Sequence, residues 1–355
     1  MKNRLVFLQP ALPTYRVSFF ESLIVKSNYD VEIYASPSDF LNVKTVQCKG
    51  LNLVRNFIKI GPFYWQAGLK VGDISEGDII VISGNPRIIN YMLLYLKCKL
   101  KKRKVIWWGQ GWTAGSKGIS SRIRRKLMLL ADGIAVYTEK ESKEISHRNI
   151  IGLNNGLDVK SVPIFDKKLE KKDEVIRLVF IGRLTEKANL NVLFKALSKV
   201  RVSYHLNIIG EGDIKNGLEL LAEELDISSN ITWHGKLFNN ENISEITNLC
   251  DIFIYPGAVG LSLIHAFSLS LPALVHNDED YHMPEFAAFK ENYNGVSFSR
   301  NNIDSLSKVI DSLDKNKLIQ MSGNARNTVK ESFNTEDMAN RFCALIRKVN
   351  EKNIN

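Results

Sequence analysis

The 355-residue chain has no run of about 18 apolar residues, so no helix in it is expected to cross a bilayer. Nor does it show the pattern of a secretory leader. Its opening apolar stretch, Leu5-Val6-Phe7-Leu8, is short and ends at Gln9-Pro10 with no small-residue cleavage site. That stretch reads instead as a buried strand. Cysteine is scarce: Cys48, Cys98, Cys250 and Cys343 form no CxxC pair, and no histidine stands beside them at metal-ligand spacing. Reduced thiols in a cytoplasmic protein are the simplest reading. Short-period repeats and low-complexity tracts are absent. So is the glycine fingerprint of nicotinamide-dependent oxidoreductases. Where GxGxxG would follow the first strand, the chain runs Gln9-Pro10-Ala11-Leu12-Pro13. A recognition-helix motif or aromatic RNA-binding signature is also missing, which argues against a nucleic-acid partner.

What is present is an ordinary globular composition, 45% hydrophobic and 24% charged, in a chain long enough for two domains. The formal net charge of +10 is unevenly placed. Residues 1–165 hold 25 Lys and Arg against 12 Asp and Glu, and the remainder is slightly acidic. Two clusters dominate the basic half: Lys97, Lys99, Lys101, Lys102, Arg103 and Lys104, then Arg122, Arg124, Arg125 and Lys126. A one-sided basic domain attracts anionic lipid headgroups. The second cluster runs into Leu127, Met128, Leu129 and Leu130, a spacing that suits a helix lying on a membrane. It suits a helix packed on its own sheet equally well.

Along the chain, short β-rich runs alternate with helical periodicity. Predicted strands are Leu5–Leu8, Val31–Ala35, Asp78–Ile82, Val105–Trp108 and Ile134–Tyr137, with helices over Tyr15–Lys26, Ile88–Leu96 and Ser120–Ala131. The runs are apolar on both faces, as when helices cover both sides of a parallel sheet. A Pro-containing charged stretch, Ser161–Glu174, breaks the pattern and reads as a linker. The alternation then restarts, with strands at Arg177–Ile181, His205–Ile209, Ile231–Trp233, Ile252–Tyr255 and Ala273–His276. Helices over Ala188–Val200, Ile214–Leu225, Asn242–Leu249 and Leu261–Leu269 separate them. The expected fold class is therefore α/β, with two doubly wound Rossmann-like domains facing a cleft at the strand carboxyl ends. The expected boundaries are 1–162, a linker at 163–175, 176–334, and a C-terminal helix from 335 that can pack back on the first domain.

Chemistry concentrates after two strands of the second half. Gly182-Arg183-Leu184-Thr185-Glu186-Lys187 puts two cations four residues apart at a strand end. Such a pair can hold a diphosphate and stabilise its charge as a leaving group departs. Tyr255-Pro256-Gly257-Ala258-Val259-Gly260-Leu261 is a small-residue turn opening a helix. Backbone N–H groups at a helix start bind phosphate, helped by the macrodipole. Taken singly, each is also what an ordinary surface pair or βα turn looks like.

Taken in order, these pieces resemble the retaining glycosyltransferases of family 4, which have the GT-B fold of two facing Rossmann-like domains. The resemblance is carried by Val179-Phe180-Ile181-Gly182-Arg183-Leu184 with Glu186-Lys187, Ile208-Ile209-Gly210-Glu211-Gly212 and Trp233-His234-Gly235. It continues in Asp251-Ile252-Phe253-Ile254-Tyr255-Pro256 and in Gly260-Leu261-Ser262-Leu263-Ile264-His265-Ala266 before Pro272. Trp108-Gly109-Gln110-Gly111, Ala131-Asp132-Gly133 and Asn154-Asn155-Gly156-Leu157-Asp158 fit in the first half. The resemblance implies that Arg183 and Lys187 contact the donor diphosphate and act in catalysis. It places the backbone of Val259, Gly260 and Leu261 at the phosphates. It puts His234, Lys236 and Leu237 by the base, and Gly182, Gly210, Gly257, Ala258 and His265 in the donor site.

The chain also departs from the family. A Glu, seven residues and a second Glu usually cross this turn; Gly257 and His265 stand there instead. His265 can still bond ribose hydroxyls, whereas Gly257 cannot touch the sugar, leaving that contact to the backbone of Ala258 or to Glu285. Gln110 replaces a histidine common in the Gly-x-Gly turn and can orient an acceptor hydroxyl but not deprotonate it near neutral pH. Tyr15 and Arg16, after the first strand, and Glu285 are further acceptor-side candidates. Asp278-Glu279-Asp280 mimics a metal-binding DxD, but that motif belongs to a one-domain fold, so no metal or other cofactor is expected. The implied reaction moves a hexose-type sugar, with retention, from a nucleoside diphosphate sugar to a saccharide acceptor. The expected acceptor is polyprenyl-diphosphate-linked, in bacterial O-antigen, capsule or exopolysaccharide synthesis. The expected location is cytoplasmic, peripheral on the inner face of the membrane. The alternatives are a non-catalytic partner subunit with the same fold or, on the basic first half, a nucleic-acid-binding α/β protein.

Overall fold

The computed structural model describes residues 2–111, 119–163 and 174–351. The chain forms two compact units, one of Met1–Asp158 with Asn334–Asn355, the other of Val159–Phe333. Of the predicted linker, residues 164–173 lie outside the described residues.

Unit 1 opens with β1 (Arg4–Leu8), α1 (Thr14–Lys26), β2 (Asp30–Ala35) and β3 (Leu51–Leu53). A hairpin of β4 (Phe57–Ile60) and β5 (Phe63–Gln66) follows, then β6 (Ile79–Ser83), α2 (Ile89–Leu100) and β7 (Lys104–Trp108). It continues through α3 (Ile119–Met128), β8 (Gly133–Val136), α4 (Glu139–Glu144) and β9 (Ile150–Gly152). Seven strands pair in the order β3-β2-β1-β6-β7-β8-β9, all parallel. Both faces are buried, as the unbroken apolar runs require. In β1, Leu5 and Phe7 enter the core under α1 and the C-terminal helix Thr335–Asn350. Val6 and Leu8 enter the opposite core, with Tyr91 and Tyr95 of α2 and Met128 of α3. A knot of Phe7, Phe19, Phe20, Trp108 and Phe342, with ring centroids 5.0–6.3 Å apart, joins the C-terminal helix to the sheet.

Unit 2 runs β10 (Ile176–Ile181), α5 (Leu190–Leu197), β11 (Tyr204–Ile209), α6 (Lys215–Glu224), β12 (Ile231–Gly235) and α7 (Asn240–Thr247). It then runs β13 (Ile252–Tyr255), α8 (Leu261–Ser268), β14 (Ala273–His276), β15 (Gly295–Phe298), α9 (Ile303–Asp311) and α10 (Lys315–Glu331). Its sheet is parallel in the order β12-β11-β10-β13-β14-β15. That is the doubly wound order in which direction reverses between the first and fourth strands, here β10 and β13. Two helix starts differ from the sequence expectation for local reasons. Asn189 takes a left-handed φ of 57°, so α5 begins at Leu190 rather than Ala188. Asn239 caps α7 by accepting a bond from Glu241 N–H at 2.8 Å, so that helix begins two residues earlier.

Candidate functional site

In open parallel sheets, ligands bind beyond the strand carboxyl ends where the order reverses. In unit 2 the loops at that point are 182–189, after β10, and 256–260, after β13. They are the two segments that carry Arg183, Lys187 and the glycine turn. The backbone stitches them together: Ala258 N–H donates to the Lys187 carbonyl at 3.3 Å. Gly257 makes the approach possible. A Cβ there would fall onto the Lys187 carbonyl oxygen and within 2.8 Å of Ala188 C, both main-chain atoms. On its other side the same loop is tied to the end of β11, with Leu184 N–H donating to Glu211 O at 3.0 Å. Gly210 and Gly212 are packed against the Gly182 and Leu184 backbone there, with no room for a side chain. The cationic loop is thus clamped from both sides, while buried Leu184 and Ala188 root it in the core.

The clamping leaves Arg183 and Lys187 exposed. Neither side chain has an ion-pair partner among the described residues. Burial raises the Tyr255 phenol, and the Arg183 charge acts against that shift, so Arg183 lies close to the end of β13. Gly182 rests on the stacked Phe180 and Tyr255 rings, whose centroids are 5.0 Å apart.

The start of α8 is the second half of the site. Gly260 caps it without a side-chain bond. The N–H groups of Gly260, Leu261 and Ser262 therefore have no partner among the described residues, as expected for a first helical turn. Val259 differs. Its N–H, expected from the resemblance to face phosphate, donates to His282 Nδ1 at 3.1 Å. Ala258, expected to replace the missing sugar contact, has given its N–H to Lys187. The amides left available to an anion in this turn, among the described residues, are therefore those of residues 260–262, where the macrodipole would help.

His282 had no signal in the sequence beyond a polar loop, yet it fixes this turn. Its Nε2–H donates to His276 O at 2.9 Å while Nδ1 accepts from Val259, a pairing that requires the neutral ring. It stacks between His276 and Phe286, at centroid distances of 3.7 and 4.0 Å. Burial is the first cause lowering the His282 pKa to about 4 and that of His276 to about 3. An unfolded imidazole titrates near 6.5. The native state therefore binds fewer protons below that value. The stability these rings contribute is fully present above about pH 6.5 and is lost as pH falls toward 4. The melting temperature of unit 2 should fall over that interval in circular-dichroism melts. His282→Phe keeps the stack but orphans Val259 N–H, a loss of about 1–3 kcal/mol at neutral pH. It should also shallow the acid limb; an unchanged limb would count against this assignment.

His265 lies one helical turn beyond Leu261. Its ring has no hydrogen-bond partner among the described residues, and burial lowers its pKa to about 4. A neutral ring offers one donor and one acceptor. Glu285 belongs to this unit as well. Its carboxylate is buried, and Oε2 lies 3.5 Å from where a Cβ on Gly260 would stand, beside the start of α8. Within β12, His234 Nε2 meets Asn207 Oδ1 at 2.8 Å, so that ring is committed within the sheet edge. Lys236 places its ammonium 4.6 Å over the exposed Phe238 ring, with Leu237 half-buried between them. Asp278 of the acidic triplet pairs with Arg300 at 3.4 Å, and no cluster of three metal-ligating side chains occurs among the described residues.

Of the acceptor-side candidates, Glu285 lies in unit 2, and Tyr15, Arg16 and Gln110 lie in unit 1. Arg16 stacks its guanidinium 4.9 Å over Trp108 and 5.4 Å over the exposed Tyr15, and donates to Met338 Sδ at 3.5 Å. Its charge is held on aromatic and sulfur neighbours rather than extended into solvent. Gln110 is half-exposed in the turn after β7. Beneath that turn lies Glu141, a residue 30 positions further on that the sequence reading passed over. Its Oε1 accepts from Gly111 N–H at 2.6 Å, and burial first of all raises its pKa to about 7.

Residues 161–332 match the family model described as glycosyl transferases group 1. An uncharacterised glycosyltransferase of Methanocaldococcus jannaschii is 22% identical over 182 residues, 49% of this chain and 45% of that protein. The chain thus spans under half the length of that relative. Among solved structures, the apo form of the lipopolysaccharide outer core galactosyltransferase WaaB superposes with a TM-score of 0.72 at 14% identity, covering 97% of this chain and 99% of that one. HepE of Anabaena in complex with UDP superposes with a TM-score of 0.67 at 11% identity, covering 98% and 100%. At these identities the likeness establishes the fold, a GT-B type over nearly the whole chain.

Proposed function

We propose that this chain, a group 1 glycosyltransferase by the match of residues 161–332, transfers a hexose-type sugar from a nucleoside diphosphate donor to a saccharide acceptor. One observation carries the reading. Two cations, Arg183 and Lys187, with no ion-pair partner among the described residues, sit on a loop clamped by main-chain contacts against a helix start whose first N–H groups have no partner there either, at the reversal point of a doubly wound sheet. That arrangement suits a diphosphate. The HepE structures hold UDP, UDP with glucose, and UDP-glucose, which supports a uridine nucleotide as the first donor to test.

In the reaction, the bond from the anomeric carbon to the diphosphate oxygen breaks as the acceptor oxygen bonds that carbon on the same face. The acceptor proton passes to the departing phosphate oxygen, so Gln110 need only orient the hydroxyl. Arg183, Lys187 and the 260–262 amides stabilise the charge that gathers on the diphosphate. His265 is the residue we assign to the ribose hydroxyls, its neutral ring offering one donor and one acceptor. Glu285, buried beside Gly260, is the carboxylate we assign to the donor sugar in place of the one absent at position 257. The basic first half suits a polyprenyl-diphosphate-linked acceptor at an anionic membrane surface, in the synthesis of a bacterial surface polysaccharide.

Binding is tested most directly by thermal shift. A ligand that binds only the native state, at a hundred times its Kd, adds about 2.7 kcal/mol of stability. UDP or another nucleoside diphosphate should raise the melting temperature, and Arg183→Ala should reduce the shift. No shift with any nucleoside diphosphate would overturn the donor-site reading.

A further inference from the structure

The apolar surface of unit 1 is distributed in a way its catalytic reading does not use. Segments 51–72, 87–104 and 119–130 contain fourteen Lys and Arg and not one Asp or Glu. The same three segments hold eleven of the twenty-two exposed large apolar side chains among the described residues. Cations and exposed apolar groups are therefore concentrated together, with anions left out.

The fold gathers these segments on one side of the sheet. Tyr91, Tyr95 and Cys98 of α2 and Met128 of α3 share one core with Val6 and Leu8, and Phe57 and Tyr64 of the hairpin pack against it. The opposite face is covered by α1 and the C-terminal helix. Tyr95 reaches across from α2 to donate to Leu127 O at 2.8 Å, so α2 and the end of α3 are neighbours. Side chains of these elements that do not enter the core point away from the sheet on that side.

The β4–β5 hairpin shows the pattern most sharply. One of its faces is pinned: Tyr91 Oη–H donates to Gln66 Oε1 at 2.9 Å, Gln66 Nε2 donates to Ser36 Oγ at 2.9 Å, and Tyr64 stacks on Phe40. The other face carries the cross-strand pairs Ile58–Trp65 and Ile60–Phe63, all 37–54% exposed. Packing on the protein's own sheet already consumes the inward face, so it does not account for the outward one. On α2 the exposed residues Leu93, Leu96, Lys97 and Leu100 form a second stripe at helical spacing, opposite the buried Tyr91, Tyr95 and Cys98. Ile123, Leu129 and Leu130 form a third, flanked by exposed Arg122 and Lys126. Lys99 is spent on Asp132 at 2.7 Å, but Lys97, Lys101 and Lys102 are exposed.

We infer that this face docks on an anionic lipid bilayer, with the Ile58–Trp65 and Ile60–Phe63 pairs entering the headgroup layer and the surrounding lysines and arginines meeting lipid phosphates. Charge complementarity selects the occupant: a face whose three main segments carry fourteen cations and no carboxylate meets an anionic one, and Trp and Phe settle at the boundary between water and acyl chains. The inference rests on the proposed transfer only for its purpose, which is to bring the enzyme to a membrane-borne acceptor.

Co-sedimentation of the full chain with vesicles tests it. The compositions are phosphatidylcholine alone and phosphatidylcholine with one-quarter phosphatidylglycerol. Wild-type protein should bind the anionic vesicles at least about tenfold more tightly, less so as salt screens the attraction. The triple variant Ile58→Ser, Phe63→Ser, Trp65→Ser changes only exposed side chains. It should lose about tenfold on anionic vesicles. Lys97→Gln, Lys101→Gln, Lys102→Gln should lose the preference for anionic lipid. Both variants should keep the wild-type melting temperature and UDP shift, so a failed UDP shift in wild type would remove the donor reading without touching this one. Equal binding to both vesicle types would overturn the inference. So would unchanged vesicle binding by the hairpin variant, or its conversion of a dimer to a monomer in lipid-free size exclusion, which would mark a self-association surface.

Discussion

Replacing Arg183 or Lys187 by alanine is expected to cut turnover by at least about a hundredfold while leaving the melting temperature nearly unchanged. The two halves of that expectation have separate causes. The stability half follows from exposure. Both side chains face solvent, neither is paired among the described residues, and the loop is held by Leu184, Ala188 and main-chain bonds. Surface substitutions of that kind usually shift stability by under about 0.5 kcal/mol. The activity half follows from what a departing diphosphate needs. Charge builds on its bridging oxygen only as the sugar leaves, so a cation aimed there stabilises the transition state more than the bound donor. Losing one such group costs roughly 2.7–4 kcal/mol of barrier. The loss should therefore appear chiefly in kcat, with KM for the donor rising less. Lys187→Arg keeps the charge and should recover part of the rate. If either alanine variant turned over like the wild type, that residue would not be part of the leaving-group site.

The strands and turns that carry the candidate site could largely be read in the sequence, and the reasons are local. Apolar runs such as Ile252–Tyr255 can hardly be anything but buried strands, and glycines just after them mark where a backbone must approach closely. The same logic failed for elements whose signal is not local. β3 and β9 are three residues long and leave no periodicity to find. The β4–β5 hairpin is apolar on both faces, but only Phe57 and Tyr64 turn inward, while Ile58, Ile60, Phe63 and Trp65 are exposed, so composition alone does not say which face is core. Glu141 and His282 were passed over for another reason. Each acts on a backbone N–H far along the chain, Gly111 for one and Val259 for the other, and only the folded sheet brings the pairs together. The reading of Ala258 and Val259 as ligand contacts shows the complementary limit. A turn's composition reveals that amides are there, but not which of them the protein has already used.

The second large effect concerns Gly257. The family resemblance drawn from the sequence implies a carboxylate at this position, so Gly257→Glu looks like a repair that should raise activity. The structure leads to the opposite expectation. The first atom of any side chain at 257 would overlap the Lys187 carbonyl oxygen and stand 2.8 Å from Ala188 C. Both are backbone atoms of the clamped loop, so no rotamer change relieves the contact. Relief requires the loops after β10 and β13 to move apart, which breaks the Ala258–Lys187 bond and shifts Lys187 itself. Overpacking of this kind costs about 1–3 kcal/mol. At roughly 2–4 °C per kcal/mol for a unit of this size, the melting temperature should drop by several degrees. Turnover should fall at least about tenfold, because a displacement near 1 Å of a charge-stabilising group is enough. Gly257→Ala separates the causes. If the overlap of Cβ is responsible, alanine reproduces most of the damage, whereas if the new carboxylate repels the diphosphate, alanine is nearly silent. Either a gain of activity in Gly257→Glu or an unchanged melting temperature in both variants would show that the turn has room for a side chain. The carboxylate role would then return from Glu285 to position 257.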